Sequence, residues 1–160
     1  MTIILGIIAS LSPVAISAEA MSSPQPKLQE EDERLATTPA TLAEIIQTCG
    51  KFLRSEIDAN SLAAGGWKNQ DGALVLRLPR GYTDMNARGC RGSHTISKKH
   101  SAELKSTIST TLGTSASEDP RGAVTWSKDG VLTTLAVSGG REAHPTFSIN
   151  FAVRLAGERN

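Results

Sequence analysis

The most regular pattern of apolar and polar residues lies between residues 41 and 57, where apolar side chains recur at every third or fourth position. This spacing places them on one face of an α-helix, with polar and charged residues on the other face. The sequence therefore predicts an amphipathic helix. Its expected buried positions are Leu42, Ile45, Ile46, Cys49, Phe52, Leu53 and Ile57.

Two capping signals compete for the start of this helix. Thr38 followed by Pro39 fits a cap with proline at the first helical position. Thr41 with Glu44 three residues later fits a capping box. The helix is predicted to break near Asp58, and a short second turn is expected just before the Gly-Gly-Trp sequence that follows.

Alternation of apolar and polar side chains identifies the β-strands. In the clearest case, residues 146–155, five apolar residues share one side of the predicted strand. An Asp-Gly pair at residues 129–130 predicts a tight hairpin between two further strands. A second helix is expected over residues 97–112, ended by Gly113. The predicted strands cover residues 73–78, 90–96, 123–127, 131–138 and 146–155.

The order of the predicted elements defines a fold class. It is helix, strand, strand, helix, strand, strand, strand, and the hairpin connections make neighbouring strands antiparallel. Two amphipathic helices need one apolar surface to cover. The sequence therefore predicts an α+β domain, in which an antiparallel sheet of about five strands carries both helices on one face. The opposite face is expected to be in water and to carry Arg77, Ser148, Asn150 and Arg154.

The first twenty residues differ from the rest of the chain. Residues 3–17 are an apolar run, and Ala18-Glu19-Ala20 has the small-x-small pattern of a signal-peptidase site. We expect a signal peptide cleaved after Ala20 and a secreted or periplasmic protein, although no Lys or Arg precedes the run. The run is shorter than the roughly 20 apolar residues of a membrane span, so no span is expected after cleavage. An N-terminal membrane anchor or a buried strand is the alternative.

The remaining chain divides into three parts. Residues 21–38 contain two prolines and a block of four acidic residues at 30–33, a composition that predicts a disordered arm. Residues 39–157 are expected to form the single α+β domain, because their length fits one hydrophobic core. Residues 158–160 are expected to be a tail.

The chain has two cysteines, Cys49 and Cys90. In an oxidising compartment they are expected to form a disulfide, and closing a loop of this length is worth about 4 kcal/mol in the chain-entropy model. The alternative is an exported hydrolase or thiol enzyme, in which His94 activates the thiol of Cys90. Cys49 is the poorer nucleophile, since a thiol on the apolar face of a helix is normally inert.

Positive charge is concentrated in residues 77–100, which contain six Lys and Arg residues and one acidic residue. Arginines among glycines suit the recognition of phosphate or carboxylate groups. We therefore predict an anionic ligand or an acidic protein surface as the partner, and nucleic acid is not predicted. A charged stretch that is merely solvated is the simpler alternative. The candidate ligand-binding residues are Arg77, Arg88, Arg91, His94 and Lys98.

The sequence contains none of the common catalytic or cofactor motifs. It has no G-x-S-x-G, H-E-x-x-H, C-x-x-C, P-loop or dinucleotide fingerprint, so no catalytic residue, metal or cofactor is predicted. This favours a non-enzymatic binding or accessory protein. An envelope protein that assembles through its sheet edge is the structural alternative. The sequence leaves open whether Trp126 is in the core or exposed beside Tyr82.

Overall fold

The computed structural model describes residues 26–138 and 144–157. The predicted signal peptide and the tail over residues 158–160 lie outside the described residues. None of the described helices is long and apolar enough to cross a membrane. The helices are α1 (Pro26–Leu35), α2 (Pro39–Leu53), α3 (Ala59–Ala64) and α4 (Ser101–Leu112), and a single 3-10 turn, Lys98–His100, precedes α4.

In the described part of the chain, eight strands form one antiparallel sheet. They are β1 (Lys68–Gln70), β2 (Ala73–Leu78), β3 (Gly81–Asn86), β4 (Gly89–Ser97), β5 (Ser117–Glu118), β6 (Val124–Lys128), β7 (Val131–Ser138) and β8 (Thr146–Leu155). Their order in the sheet is β1-β2-β3-β4-β8-β7-β6-β5. Two four-stranded meanders, β1 to β4 and β5 to β8, therefore meet where β4 pairs with β8.

The α+β class and the antiparallel sheet are confirmed, but the predicted count of about five strands and the predicted order are wrong. The five predicted strands are present, and β1, β3 and β5 are additional. The sequence predicts a loop where the structure has β3. The inward positions of this strand are Gly81, Thr83 and Met85, and only Met85 is apolar, so no apolar alternation marks the strand. The strands β1 and β5 are short and exposed, so they leave no hydrophobic pattern.

The helix α2 begins at the first of the two predicted caps. The side chain of Thr38 accepts a hydrogen bond from the backbone N–H of Thr41 at 3.2 Å, which satisfies one of the unpaired donors of the first turn. The helix ends at Leu53, about a turn earlier than predicted. Asp58 then caps α3 by accepting from the N–H of Ser61 at 2.8 Å. The short turn expected before Gly-Gly-Trp is therefore α3.

Residues 26–35 form the helix α1, within the part of the chain for which the sequence predicts a disordered arm. A block of like charge predicts disorder when no opposite charge lies nearby. Here Asp32 pairs with Arg80, and Glu33 pairs with Lys99. These partners are far away in the sequence, and the sheet brings them to α1. Residues 21–25 of the predicted arm lie outside the described residues.

One face of the sheet is apolar, and α2 and α4 cover it. The strand register aligns the inward side chains, so that Phe151 on β8 lies between Gly92 on β4 and Leu135 on β7. Burying one Leu or Ile side chain contributes about 1.5–3 kcal/mol, and many such side chains meet in this layer. The largest fully buried apolar side chains are Leu42, Ile46, Met85, Ile96, Ile108, Trp126, Ile149 and Val153.

The other face of the sheet is open to water, as the alternation predicts. Trp126 lies on the buried face, where its Nε1 donates a hydrogen bond to the hydroxyl of Ser109 on α4 at 2.9 Å. Tyr82 is 48% exposed and points to the open face with Arg77, its cross-strand neighbour. The two aromatic residues therefore lie on opposite faces, and they do not form an exposed aromatic pair.

The predicted disulfide is confirmed. Cys49 on α2 and Cys90 on β4 are bonded, with their Cα atoms 5.9 Å apart. Both cysteines are buried. The bond ties the helical layer to a central strand of the sheet. Closing a loop of this length lowers the conformational entropy of the unfolded chain, which stabilises the folded protein by about 4 kcal/mol.

Two glycine substitutions test this packing in opposite directions. A Cβ at Gly92 would lie 2.5 Å from the ring of Phe151, so Gly92→Ala is expected to destabilise the protein by about 1–3 kcal/mol. In the helix α2, a Cβ at Gly50 would lie 3.4 Å from the flexible side chain of Arg54, so Gly50→Ala is expected to stabilise it by up to about 1 kcal/mol. Urea unfolding measures both changes. A Gly92→Ala protein as stable as the wild type would contradict this description of the core.

Candidate anion-binding site

The turn between β3 and β4 holds the first arginine of the site. The backbone N–H of Arg88 donates to the side-chain oxygen of Asn86 at 2.9 Å, which fixes the turn. Gly89 follows, and a Cβ at this position would lie 3.1 Å from the carbonyl oxygen of Val153. The glycine therefore lets β8 approach the turn closely, and this approach brings β8 side chains next to Arg88.

Two arginines of the basic segment and one from the last strand line one cavity at this end of the sheet. The cavity has a volume of about 330 Å³, and Arg88, Arg91 and Arg154 all border it. Arg91 projects from β4, and Arg154 projects from β8 on the same face of the sheet. We call this the arginine cavity. Cys90, which carries the disulfide, also borders it.

Among the described residues, the lining of the arginine cavity contains one carboxylate. It belongs to Asp84, and it accepts from the Nε of Arg91 at 3.1 Å. This pair fixes the orientation of a side chain that is otherwise 78% exposed, and it leaves the two Nη groups of Arg91 as donors. Arg88 and Arg91 together carry more charge than this carboxylate, so among the described residues the basic segment leaves a local excess of positive charge, which favours an anionic ligand.

The five candidate ligand-binding residues do not form one site. Arg88 and Arg91 border the arginine cavity, whereas Arg77 is exposed on the same face of the sheet but outside the cavity. Lys98 lies at the opposite end of β4, in the 3-10 turn. Arg154 is predicted on the open face but without a connection to the basic segment. The pairing of β4 with β8 makes that connection, and no signal in the sequence predicts it.

His94 points into the core, away from the cavity. Its side chain is 1% exposed and stacks on Phe151 with a ring-centre distance of 5.9 Å. Its Nδ1 is 3.2 Å from the hydroxyl of Thr37, and its Nε2 is 2.9 Å from the hydroxyl of Thr83. A Cβ at Gly81 would overlap the imidazole ring. With both ring nitrogens bonded and its surface covered, His94 serves the core and is not available to a ligand.

Cys90 and His94 do not form a nucleophilic pair. They lie four residues apart on one face of β4, which separates them by roughly 13 Å at the usual rise of a strand. The sulfur of Cys90 is bonded to Cys49, and the imidazole is bonded to two threonines. Residues 26–138 and 144–157 also contain no group of three or more His, Cys, Asp or Glu side chains placed to hold a metal ion.

Comparison with known proteins gives no relative: no protein-family model, curated protein or solved structure matches this chain. The arrangement of the residues themselves is therefore the evidence for function.

The buried imidazole predicts a pH dependence of stability. Burial lowers the pKa of His94 to about 4, below the value of about 6.5 expected in the unfolded chain. As the pH falls below 6.5 the unfolded chain binds a proton that the folded protein excludes, so about 3 kcal/mol of stability is lost between pH 6.5 and 4. Urea unfolding across this range, with an NMR titration of the imidazole, tests this expectation. A ring that titrates near 6.5 in the folded protein would contradict it.

Proposed function

We propose that this chain is a small exported binding protein, braced by a disulfide, that holds an anionic partner at the arginine cavity. The observation that supports the proposal is that Arg88 and Arg91 border one cavity together with Arg154, and that Asp84 is the one carboxylate in the part of the lining that the structure describes. Two of these side chains come from the basic segment, and the third comes from the last strand. If the basic segment were only a solvated charged surface, its arginines would not need to border one concave site together.

The chemistry of arginine favours carboxylate or phosphate groups as the ligand. A guanidinium group presents a planar fork of N–H donors, which matches two oxygens of either anion at once. The ion pair with Asp84 favours one orientation of Arg91, so slightly less side-chain entropy is lost when a ligand binds. The cavity is open, and salt is therefore expected to weaken binding.

The disulfide supports the site from beneath. Cys90 lies between Gly89 and Arg91 on β4, and its bond to Cys49 anchors this part of the strand to α2. Binding residues are most effective on rigid elements whose positions are fixed before the ligand arrives. The bond therefore serves recognition as well as stability.

Export is part of the same proposal. A disulfide between the two cysteines of the chain is typical of a protein that works in an oxidising compartment. This agrees with the signal peptide expected over residues 1–20 and with cleavage after Ala20. A periplasmic or secreted location follows, and the partner would be an anionic ligand or an acidic surface in that compartment.

A charge reversal with a matched control tests the site. Arg88→Glu with Arg91→Glu is expected to weaken binding of phosphate or of a short polyglutamate peptide by at least about tenfold, because each charge-assisted hydrogen bond is worth about 1.5–3 kcal/mol. The control protein carries Arg77→Glu and Arg121→Glu, which change the net charge by the same amount at exposed positions outside the cavity. This protein is expected to bind the ligand nearly as tightly as the wild type does. NMR titration of the labelled protein measures both affinities. Equal affinities for the two variants would refute the site.

A further inference from the structure

The acidic helix α1 contacts the sheet at the end opposite to the arginine cavity. Asp32 forms an ion pair with Arg80, and its second oxygen is 3.8 Å from the Nε2 of His144. The next residue, Glu33, is 2.9 Å from the Nζ of Lys99 and accepts a hydrogen bond from the hydroxyl of Ser97 at 2.8 Å. Two adjacent carboxylates therefore hold α1 in place. We call the four residues that receive them, Arg80, Ser97, Lys99 and His144, the α1-docking surface.

The attachment of α1 is polar. None of the side chains of residues 27–35 is buried, and Leu28 is 58% exposed. The ion pairs are partly exposed as well, with the side chains of Arg80 and Lys99 at 45% and 60% exposure. An exposed ion pair shifts an equilibrium by about fivefold or less, and salt weakens it further. Docking of α1 is therefore readily reversible.

The α1-docking surface is held together without help from α1. The carbonyl oxygen of Arg80 accepts the N–H of Thr95 at 2.9 Å, which anchors the turn between β2 and β3 to β4. The backbone N–H of Lys98 donates to the carbonyl oxygen of Pro145 at 2.8 Å, which fixes the start of the 3-10 turn. The surface therefore keeps its shape when α1 leaves.

The chain is anchored to the sheet directly after α1. Thr37 is buried, its N–H donates to the carbonyl oxygen of Thr95 at 2.8 Å, and its hydroxyl contacts His94. Thr37 is therefore fixed to the sheet, and one residue, Ala36, separates it from the end of α1. We expect α1 to dissociate by rotation of the backbone at Ala36. Movement about Ala36 leaves the core contacts of Thr37 intact.

We propose that the α1-docking surface recognises an acidic helical segment of a partner protein, and that α1 occupies this surface as a replaceable substitute. The kind of partner follows from the bound arrangement: two neighbouring carboxylates on one helical turn, one held between Arg80 and His144 and the other shared by Lys99 and Ser97. The tether gives α1 a high effective concentration, so a partner must displace it. This site is separate from the arginine cavity, and its test does not depend on that proposal.

A competition experiment on the full chain tests this inference. The probe is a fluorescein-labelled peptide of residues 26–38, and binding is measured by fluorescence polarisation up to millimolar protein. Three chains are compared: the wild type, Asp32→Asn with Glu33→Gln, and Glu30→Gln with Glu31→Gln. The last pair removes the same charge from exposed positions on α1 and serves as the control. Because none of the side chains of residues 27–35 is buried, all three chains are expected to fold.

The Asp32→Asn, Glu33→Gln chain is expected to bind the peptide roughly tenfold more tightly than the other two, since its own α1 no longer competes. Trypsin is expected to cut it after Arg34 about tenfold faster, because the helix is released. A peptide that carries the same two substitutions is expected not to bind. Equal affinities for the three chains, equal cleavage rates, or no peptide binding to the released chain would each overturn the inference.

Discussion

The disulfide between Cys49 and Cys90 joins the two layers on which the rest of the molecule depends. It connects the amphipathic helix α2 to β4, the strand at which the two meanders meet. The same strand carries Arg91 on its outer face and His94 on its inner face. One covalent bond therefore restrains the helix, the centre of the sheet and the backbone beneath the arginine cavity.

The two faces of β4 explain why the basic segment is not a single site. Alternation along the strand sends His94 into the core and Arg91 toward water, and the length of the strand separates Arg88 from Lys99. At one end, Arg88 and Arg91 border one cavity together with Arg154. At the other end, Arg80 and Lys99 are paired with α1. The basic segment therefore contributes to a cationic cavity at one end of β4. At the other end it forms a surface that is paired with the acidic groups of α1.

The sequence predicts those parts of the fold in which periodicity reports burial. The strands β2 and β8 coincide with the predicted ranges, and α2 begins at one of its two predicted caps, because alternating or helical apolar spacing is a local property. The strand β3 is missed, since Gly81 leaves room for His94 and Thr83 bonds to it. An imidazole from the next strand replaces the apolar side chain that a pattern would need. The helix α1 and the role of Arg154 depend on distant partners, which no local pattern can reveal.

An intact-mass measurement on the protein recovered from the cell that makes it, with and without iodoacetamide under native conditions, tests the central claim most directly. We expect a chain that begins at Met21. Its mass is expected to be lower than that of its reduced form by two hydrogens, and iodoacetamide is expected to add no label until a reductant is present. A chain that retains residues 1–20 and takes up label on both cysteines without reduction would contradict the description of an exported domain held by a disulfide.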